Sequence, residues 1–205
     1  MGVKRNNPAT QEIFNPTDCY IAQGETITAP TAMFLKAYDE LFEKFDKKIL
    51  SKIYGISASG QQHGSVYWKS GSLEQLSNLD GSKSLLEQLE NSFSKKNSPI
   101  WMDSSTTDIC KDLQSALGGA QKLSDLTGSS AYERFTIHQI IKFAKENPKD
   151  WAESDRVQLI SNFSVSLLAG LYASIDYSDG SGKAPLFNLH AVEIKDNFCI
   201  FLENS

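Results

Sequence analysis

The sequence lacks the patterns that mark secreted, zinc-binding or membrane-spanning proteins. It has three cysteines in 205 residues, at positions 19, 110 and 199, and no two of them share a CxxC spacing. This odd, scattered set argues against a disulfide framework or a zinc site and suits a reducing compartment. No run approaches the ~18 apolar residues of a membrane span, and the opening residues MGVKRNN carry no apolar signal core. We therefore expect a cytosolic protein without a metal site.

The chain also lacks an excess of positive charge. Lys and Arg total 20 against 25 Asp and Glu, which gives a net charge of −5. Without a basic stripe, binding to nucleic acid or to an anionic membrane is not expected. Hydrophobic residues make up 40% and charged residues 22% of the chain. These are ordinary globular values, and they exclude a disordered or low-complexity protein.

The hydrophobic pattern predicts an α/β fold in which short strands lie between amphipathic helices. Apolar residues recur at three- and four-residue steps after Pro30, and again between Thr136 and Pro148. Helices are predicted over residues 28–48, 108–117, 120–126, 136–146 and 163–171, with one or two surface helices within 70–97. Strands are predicted over residues 53–59, 65–68, 99–103 and 157–160. Neither an internal repeat nor a long linker divides the chain.

Two segments carry polar residues that suit ligand binding. The segment SASGQQHG places Gln62 and His63 at a strand–turn junction, where neutral donors and acceptors match the hydroxyl groups of a sugar. Arg134 precedes a predicted helix, and its forked guanidinium can orient hydroxyl or carbonyl oxygens. By pattern alone, simpler interpretations stay open: a turn with an incidental histidine, and a surface salt bridge from Arg134 to Glu133 or Asp125.

Six sequence blocks together form a more specific signal than either segment. The blocks are SGQQHGSVYW at 59–68, PIWMDSSTT at 99–107, GGAQ at 118–121, LTGSS at 126–130, AYERFT at 131–136 and IDYSDGSG at 175–182. In their order and spacing they closely resemble the xylulose kinases, in the eukaryotic form of these FGGY-type carbohydrate kinases. The resemblance covers roughly residues 20–182.

The resemblance implies a fold, an activity and a set of site residues. Family members have two actin-like (ribonuclease-H-like) domains with the active site in the cleft between them. They use ATP and Mg²⁺ to phosphorylate D-xylulose on its 5-hydroxyl. The sugar-contacting His of the GQQHG turn and Arg of the AYERF segment correspond to His63 and Arg134 here. Gln62 is a further expected contact, and Asp103 is expected to be structural support first and a sugar ligand second.

The chain departs from the family pattern at both ends. Nothing before residue 20 matches the family's phosphate-contacting first strand and turn, and nothing after residue 182 matches the segment that carries the catalytic Asp. The resemblance therefore implies a truncated N-terminal kinase domain over 20–182, between a poorly ordered segment 1–19 and a tail 183–205 without family pattern. We assign no catalytic residue and expect neither tight ATP or Mg²⁺ binding nor turnover by these residues alone. The alternative is a non-catalytic sugar- or protein-binding remnant.

Overall fold

The computed structural model describes residues 19–181, in which short strands alternate with helices. The elements in chain order are β1 (Ile21–Gln23), β2 (Thr26–Pro30), α1 (Thr31–Lys44), α2 (Lys47–Leu50), β3 (Ser65–Lys69), α3 (Ser72–Ser77), α4 (Leu85–Leu89), β4 (Asn97–Pro99), α5 (Thr107–Ala116), α6 (Ala120–Thr127), α7 (Thr136–Glu146), α8 (Pro148–Ala152), β5 (Ser154–Leu159), α9 (Ile160–Ala169) and α10 (Tyr177–Ser181). This alternation confirms the predicted α/β class.

The strands of the described residues form two antiparallel sheets. Strand β2 is the middle strand of a three-stranded sheet with the order β1-β2-β4. Strands β3 and β5 pair with each other, with Tyr67 opposite Val157. A tight turn joins the antiparallel strands β1 and β2. Several helices separate β2 from β4, and β3 from β5, along the chain.

The principal core lies between β3 and the helices α1, α3, α4 and α9. Trp68 of β3 is fully buried, and its ring centroid lies 4.8 Å from that of Phe93 and 5.6 Å from that of Phe163. The Trp68 indole Nε1 donates to Gln158 Oε1 of β5 at 2.8 Å. Further buried members of this cluster are Leu35, Val66, Leu76, Leu89, Ile160 and Leu167. The core thus holds β3 in place, and with it the turn that precedes β3.

The first helix begins later than its sequence pattern predicts. Residues 28–30 pair with residues 97–99 as part of β2, so α1 begins at Thr31. The helix also ends early, and Asp46 caps a separate short helix by accepting a hydrogen bond from Lys48 N at 2.9 Å. Pairing with a distant strand thus overrides the helical periodicity around Pro30.

The prediction of a buried strand over residues 53–59 is wrong. The segment has no regular structure, and its apolar side chains face solvent: Tyr54 is fully exposed and Ile56 is 57% exposed. A short apolar run is compatible with a strand, but a strand also needs a neighbour for its backbone hydrogen bonds. No strand among residues 19–181 pairs with this segment.

Most other predicted elements are confirmed with small shifts of their ends. Helix α7 has the predicted bounds, while α5, α6 and α9 begin or end within three residues of prediction. Strand β5 begins three residues earlier than predicted. The strand predicted over residues 99–103 is wrong beyond its first residue, because β4 is Asn97–Pro99. Within residues 19–181 no helix is long and apolar enough to cross a membrane.

Two predictions concern residues at the ends of the chain. The poor order expected of residues 1–19 and of residues 183–205 falls almost entirely outside the described residues. Residues 183–205, the tail without family pattern, also lie outside the described residues.

Candidate functional site

The turn before β3 is shaped by two glycines that pack against the start of α9. A Cβ atom on Gly60 would lie 2.4 Å from Ser161 N, and one on Gly64 would lie 2.8 Å from Cγ1 of Ile160. Both distances are shorter than real Cβ contacts, so a larger residue at either position would push the turn away from the helix. The close approach of this turn to α9 therefore explains why the GQQHG motif begins and ends with glycine.

His63 occupies the strained position of this turn. Its φ of 63° lies in the left-handed region, which costs a non-glycine residue roughly 1–2 kcal/mol. The imidazole centroid lies 6.2 Å from that of Tyr132 and 5.7 Å from that of Phe135. Strained residues cluster at functional sites, so these observations argue against an incidental histidine in a turn. The adjacent Gln62 is exposed to solvent.

Arg134 lies between two aromatic side chains. Its guanidinium carbon is 5.7 Å from the centroid of Trp101 and 5.7 Å from that of Tyr132. Within the described residues it forms no ion pair. Glu133 instead lies near the Thr107 hydroxyl, and Asp125 accepts a hydrogen bond from the Gln121 amide at 2.8 Å. The salt-bridge interpretation of Arg134 is therefore wrong.

The structure brings His63 and Arg134 to the same aromatic ring. The two residues are 71 positions apart in sequence, yet both pack against Tyr132. Trp101 and Tyr132, which the motif analysis did not single out, are 47% and 39% exposed. Only the fold shows that these two aromatic side chains flank Arg134.

Two hydrogen bonds fix the loop that carries Tyr132 and Arg134. The Thr106 hydroxyl donates to the carbonyl oxygen of Glu133 at 2.6 Å. From α7, His138 Nδ1–H donates to the carbonyl oxygen of Tyr132 at 2.8 Å. Because Thr106 and His138 are both fully buried, this loop is held by groups that cannot easily move.

Asp103 links β2, the loop before α5 and helix α7 through hydrogen bonds. Its buried carboxylate accepts from Ile27 N at 2.8 Å and from the Gln139 amide at 2.7 Å. It also accepts from the backbone N–H and the hydroxyl of Ser105, at 3.1 and 2.6 Å. A carboxylate has about four acceptor positions, and these bonds, three to Oδ1 and one to Oδ2, occupy most of them. They support the structural role of Asp103 over the role of sugar ligand.

His138 makes the stability of the fold depend on pH. Burial lowers the pKa of His138, outweighing the hydrogen bond to Tyr132, and its Nε2 is buried without a partner among the described residues. The unfolded chain, with a histidine pKa near 6.5, therefore takes up this proton first as the pH falls. We expect the free energy of unfolding to decrease below pH 6.5, by up to about 1.4 kcal/mol per pH unit from this group.

Urea unfolding at pH 7.5 and 5.5 measures this dependence. The His138→Gln variant should lose most of the difference between the two pH values. An equal pH dependence in both proteins would contradict the assignment.

The curated proteins compared with this chain include xylulose kinases that match most of its length. No family model matches the chain. The chain is 50% identical to a xylulose kinase from Rattus norvegicus over 162 residues, which are 77% of this chain and 30% of the relative. It is also 50% identical to xylulose kinase 2 from Arabidopsis thaliana over 158 residues, which are 76% of this chain and 28% of the relative. The chain thus spans less than a third of the length of these curated relatives.

Solved structures show the same fold at low sequence identity. Glycerol kinase from Plasmodium falciparum, solved with ADP, superposes with a TM-score of 0.55 at 14% identity, over 89% of this chain and 34% of its own. A xylulose kinase from Bifidobacterium adolescentis superposes with a TM-score of 0.52 at 17% identity, over 79% of this chain and 33% of its own. Over about three-quarters of its length, the chain is a homologue of the xylulose kinases and has the fold of the FGGY carbohydrate kinases.

Proposed function

We propose that this chain provides the sugar-binding part of an ATP-dependent kinase that phosphorylates D-xylulose on its 5-hydroxyl. The observation that carries the proposal is the convergence of His63 and Arg134 on the ring of Tyr132. The identity to xylulose kinases from an animal and a plant supports the choice of sugar.

The geometry suits a polyhydroxylated ligand. The guanidinium of Arg134 supplies several N–H donors in a fixed plane, and the imidazole of His63 can accept or donate one hydrogen bond. The faces of Trp101 and Tyr132 offer apolar surface to the C–H groups of a sugar. Gln62, exposed on the same turn, would add a further donor and acceptor. Because the loop of Arg134 is held by Thr106 and His138, little ordering is needed on binding.

Within residues 19–181 no three His, Cys, Asp or Glu side chains come together in a way that could hold a metal ion. Mg²⁺ at nucleotide sites is usually held by one or two carboxylates together with the phosphates. We therefore derive no step of phosphoryl transfer through Mg-ATP from these residues.

Substitutions at the site test the sugar-binding role. We expect His63→Ala and Arg134→Ala each to weaken D-xylulose binding by about 5- to 150-fold, because a lost partner of a bound hydroxyl costs about 1–3 kcal/mol. Arg134→Lys keeps the charge but loses the planar fork, so its loss should be intermediate. Titration of the full chain with D-xylulose, followed by NMR chemical shifts, gives the dissociation constants. Unchanged affinity in both alanine variants would refute the proposal.

The strained backbone of His63 provides a matched control. A glycine at this position relieves the left-handed φ, so His63→Gly should be more stable to urea than His63→Ala by about 1 kcal/mol. Both variants lack the imidazole and should bind D-xylulose equally weakly. Recovery of sugar binding in the glycine variant would mean that the backbone, and not the imidazole, matters for the ligand.

Turnover by the 205-residue chain is a separate question, and we expect none. Asp179 accepts a hydrogen bond from the Ser161 hydroxyl at the start of α9, and Asp103 already accepts four hydrogen bonds. Hydrogen bonds from the Ser178 hydroxyl and from the N–H groups of Asp179 and Ser178 lower the pKa of Asp176, which makes it a weak proton acceptor. A coupled ADP-release assay with D-xylulose and Mg-ATP measures this. Turnover above a heat-treated control would show that one of these carboxylates, or another group, acts as the base.

A cytosolic location accords with the chemistry of the cysteines. Cys110 is buried in α5, and burial raises the pKa of its thiol to about 11. Such a thiol is protonated and unreactive at neutral pH. We propose the cytosol on this ground together with the cysteine pattern of the sequence.

A further inference from the structure

A second concave site lies away from the GQQHG turn. A cavity of about 420 Å³ opens between the β1–β2 hairpin, the segment 93–97 and the end of α7 with α8. This volume lies within the range of small-molecule sites. Its charged lining residues are Lys69, Lys95, Lys96, Asp150 and Glu153. None of the lining residues belongs to the site formed by His63, Trp101, Tyr132 and Arg134.

Lys95 is the unusual group in this cavity. It is only partly exposed, and its Nζ lies 4.4 Å from the ring centroid of Phe143. Among the described residues no oxygen accepts a hydrogen bond from this ammonium group, and no carboxylate forms an ion pair with it. By contrast, Lys69 pairs with Glu153 at 3.2 Å. A cation withdrawn from water without a hydrogen-bond acceptor is costly, and it is ready to accept an anion.

The charges that line the cavity favour an anionic ligand. Among the lining residues, once Lys69 and Glu153 are paired, Lys95 and Lys96 remain against the carboxylate of Asp150. Burial, together with the nearby charge of Lys142, lowers the pKa of Lys95, while Glu146, Asp103 and Asp150 raise it. An anion bound beside Lys95 would relieve this repulsion between cations.

The rest of the lining is mostly polar and neutral, with the apolar side chains of Ile21, Phe93 and Phe143 beside it. Thr28 of the hairpin, Asn97 after the Lys95 segment and Asn147 at the end of α7 contribute hydroxyl or amide groups to the wall. Such groups can donate to and accept from hydroxyls. A lysine ammonium acts as a compact point charge, which is a common way for proteins to bind phosphate oxygens.

We propose that this cavity binds the phosphate monoester of a small polyhydroxylated molecule, with Lys95 contacting the phosphate. The neutral polar wall then contacts the hydroxyl groups of the same ligand. This site is independent of the proposed sugar site, since the two share no residue.

Calorimetric titration of the full chain with glycerol 3-phosphate at low ionic strength tests the proposal. We expect measurable binding to the wild-type chain and at least a tenfold weaker affinity in Lys95→Met, which keeps the length of the side chain but removes its charge. Lys122→Met removes a charge from an exposed position on α6 and should leave the affinity unchanged. Equal affinities in the wild-type and Lys95→Met proteins would overturn the proposal.

Further ligands and variants separate the two parts of the proposed recognition. Lys95→Arg should retain most of the binding, and Lys96→Met should weaken it less than Lys95→Met, because Lys96 is exposed. Glycerol should not bind, and inorganic phosphate should bind more weakly than glycerol 3-phosphate. If inorganic phosphate binds as tightly as the ester, or glycerol binds as tightly as either, the assigned ligand class is wrong. Thermal unfolding of each variant without ligand confirms that it is folded.

Discussion

Asp103→Ala is expected to lower the free energy of unfolding by about 3–5 kcal/mol, because several donors from different parts of the fold lose one shared acceptor. The carboxylate is 1% exposed and joins three parts of the fold. It accepts from Ile27 N in β2, from Ser105 in the loop before α5, and from Gln139 in α7. Alanine would leave these donors without a partner, at about 1–3 kcal/mol for each buried group.

Urea denaturation of the variant and the wild-type chain measures this difference. Asp103→Asn keeps one acceptor oxygen and should fall between the two. Asp108→Ala is the matched control, because the Asp108 side chain is 92% exposed in a surface ion pair with Lys111. Such pairs contribute about 0–1 kcal/mol. A loss below about 1 kcal/mol in Asp103→Ala would show that Asp103 does not tie these elements together.

Trp68→Ala is expected to cost about 3–5 kcal/mol of stability, as for other buried aromatic residues replaced by alanine. The indole is fully buried, with Phe93, Phe163 and Tyr172 packed around it at centroid distances of 4.8, 5.6 and 5.5 Å. Its removal leaves a cavity that these rings cannot fill together. It also removes the hydrogen bond that Nε1 donates to Gln158 Oε1, so a buried acceptor loses its donor.

Thermal and urea unfolding of Trp68→Ala and Trp68→Phe separate the two contributions. The phenylalanine variant fills most of the space and should lose chiefly the hydrogen bond. Trp101→Ala removes a 47% exposed indole, so it should change stability little while weakening D-xylulose binding. A similar loss of stability in Trp68→Ala and Trp101→Ala would contradict the described core.

The candidate site was partly predictable from the sequence. The motif blocks identified His63 and Arg134, because linked motifs at set spacing carry information that composition does not. The contributions of Trp101 and Tyr132 depend on their position around Arg134. The left-handed φ of His63 is likewise a property of the folded turn, set by how closely the backbone approaches α9.

The sequence by itself determined the helices that close their hydrogen bonds locally. Helix α7 begins at Thr136 and ends before Pro148 as predicted, because its apolar spacing and its stop signal lie within one short segment. Only the tertiary structure decided which of the possible strands find a partner. Residues 28–30 became part of a strand because residues 97–99 lie beside them, whereas the more apolar residues 53–59 have no paired neighbour within residues 19–181. A strand depends on hydrogen bonds from a distant part of the chain, and no local pattern shows whether that partner is there.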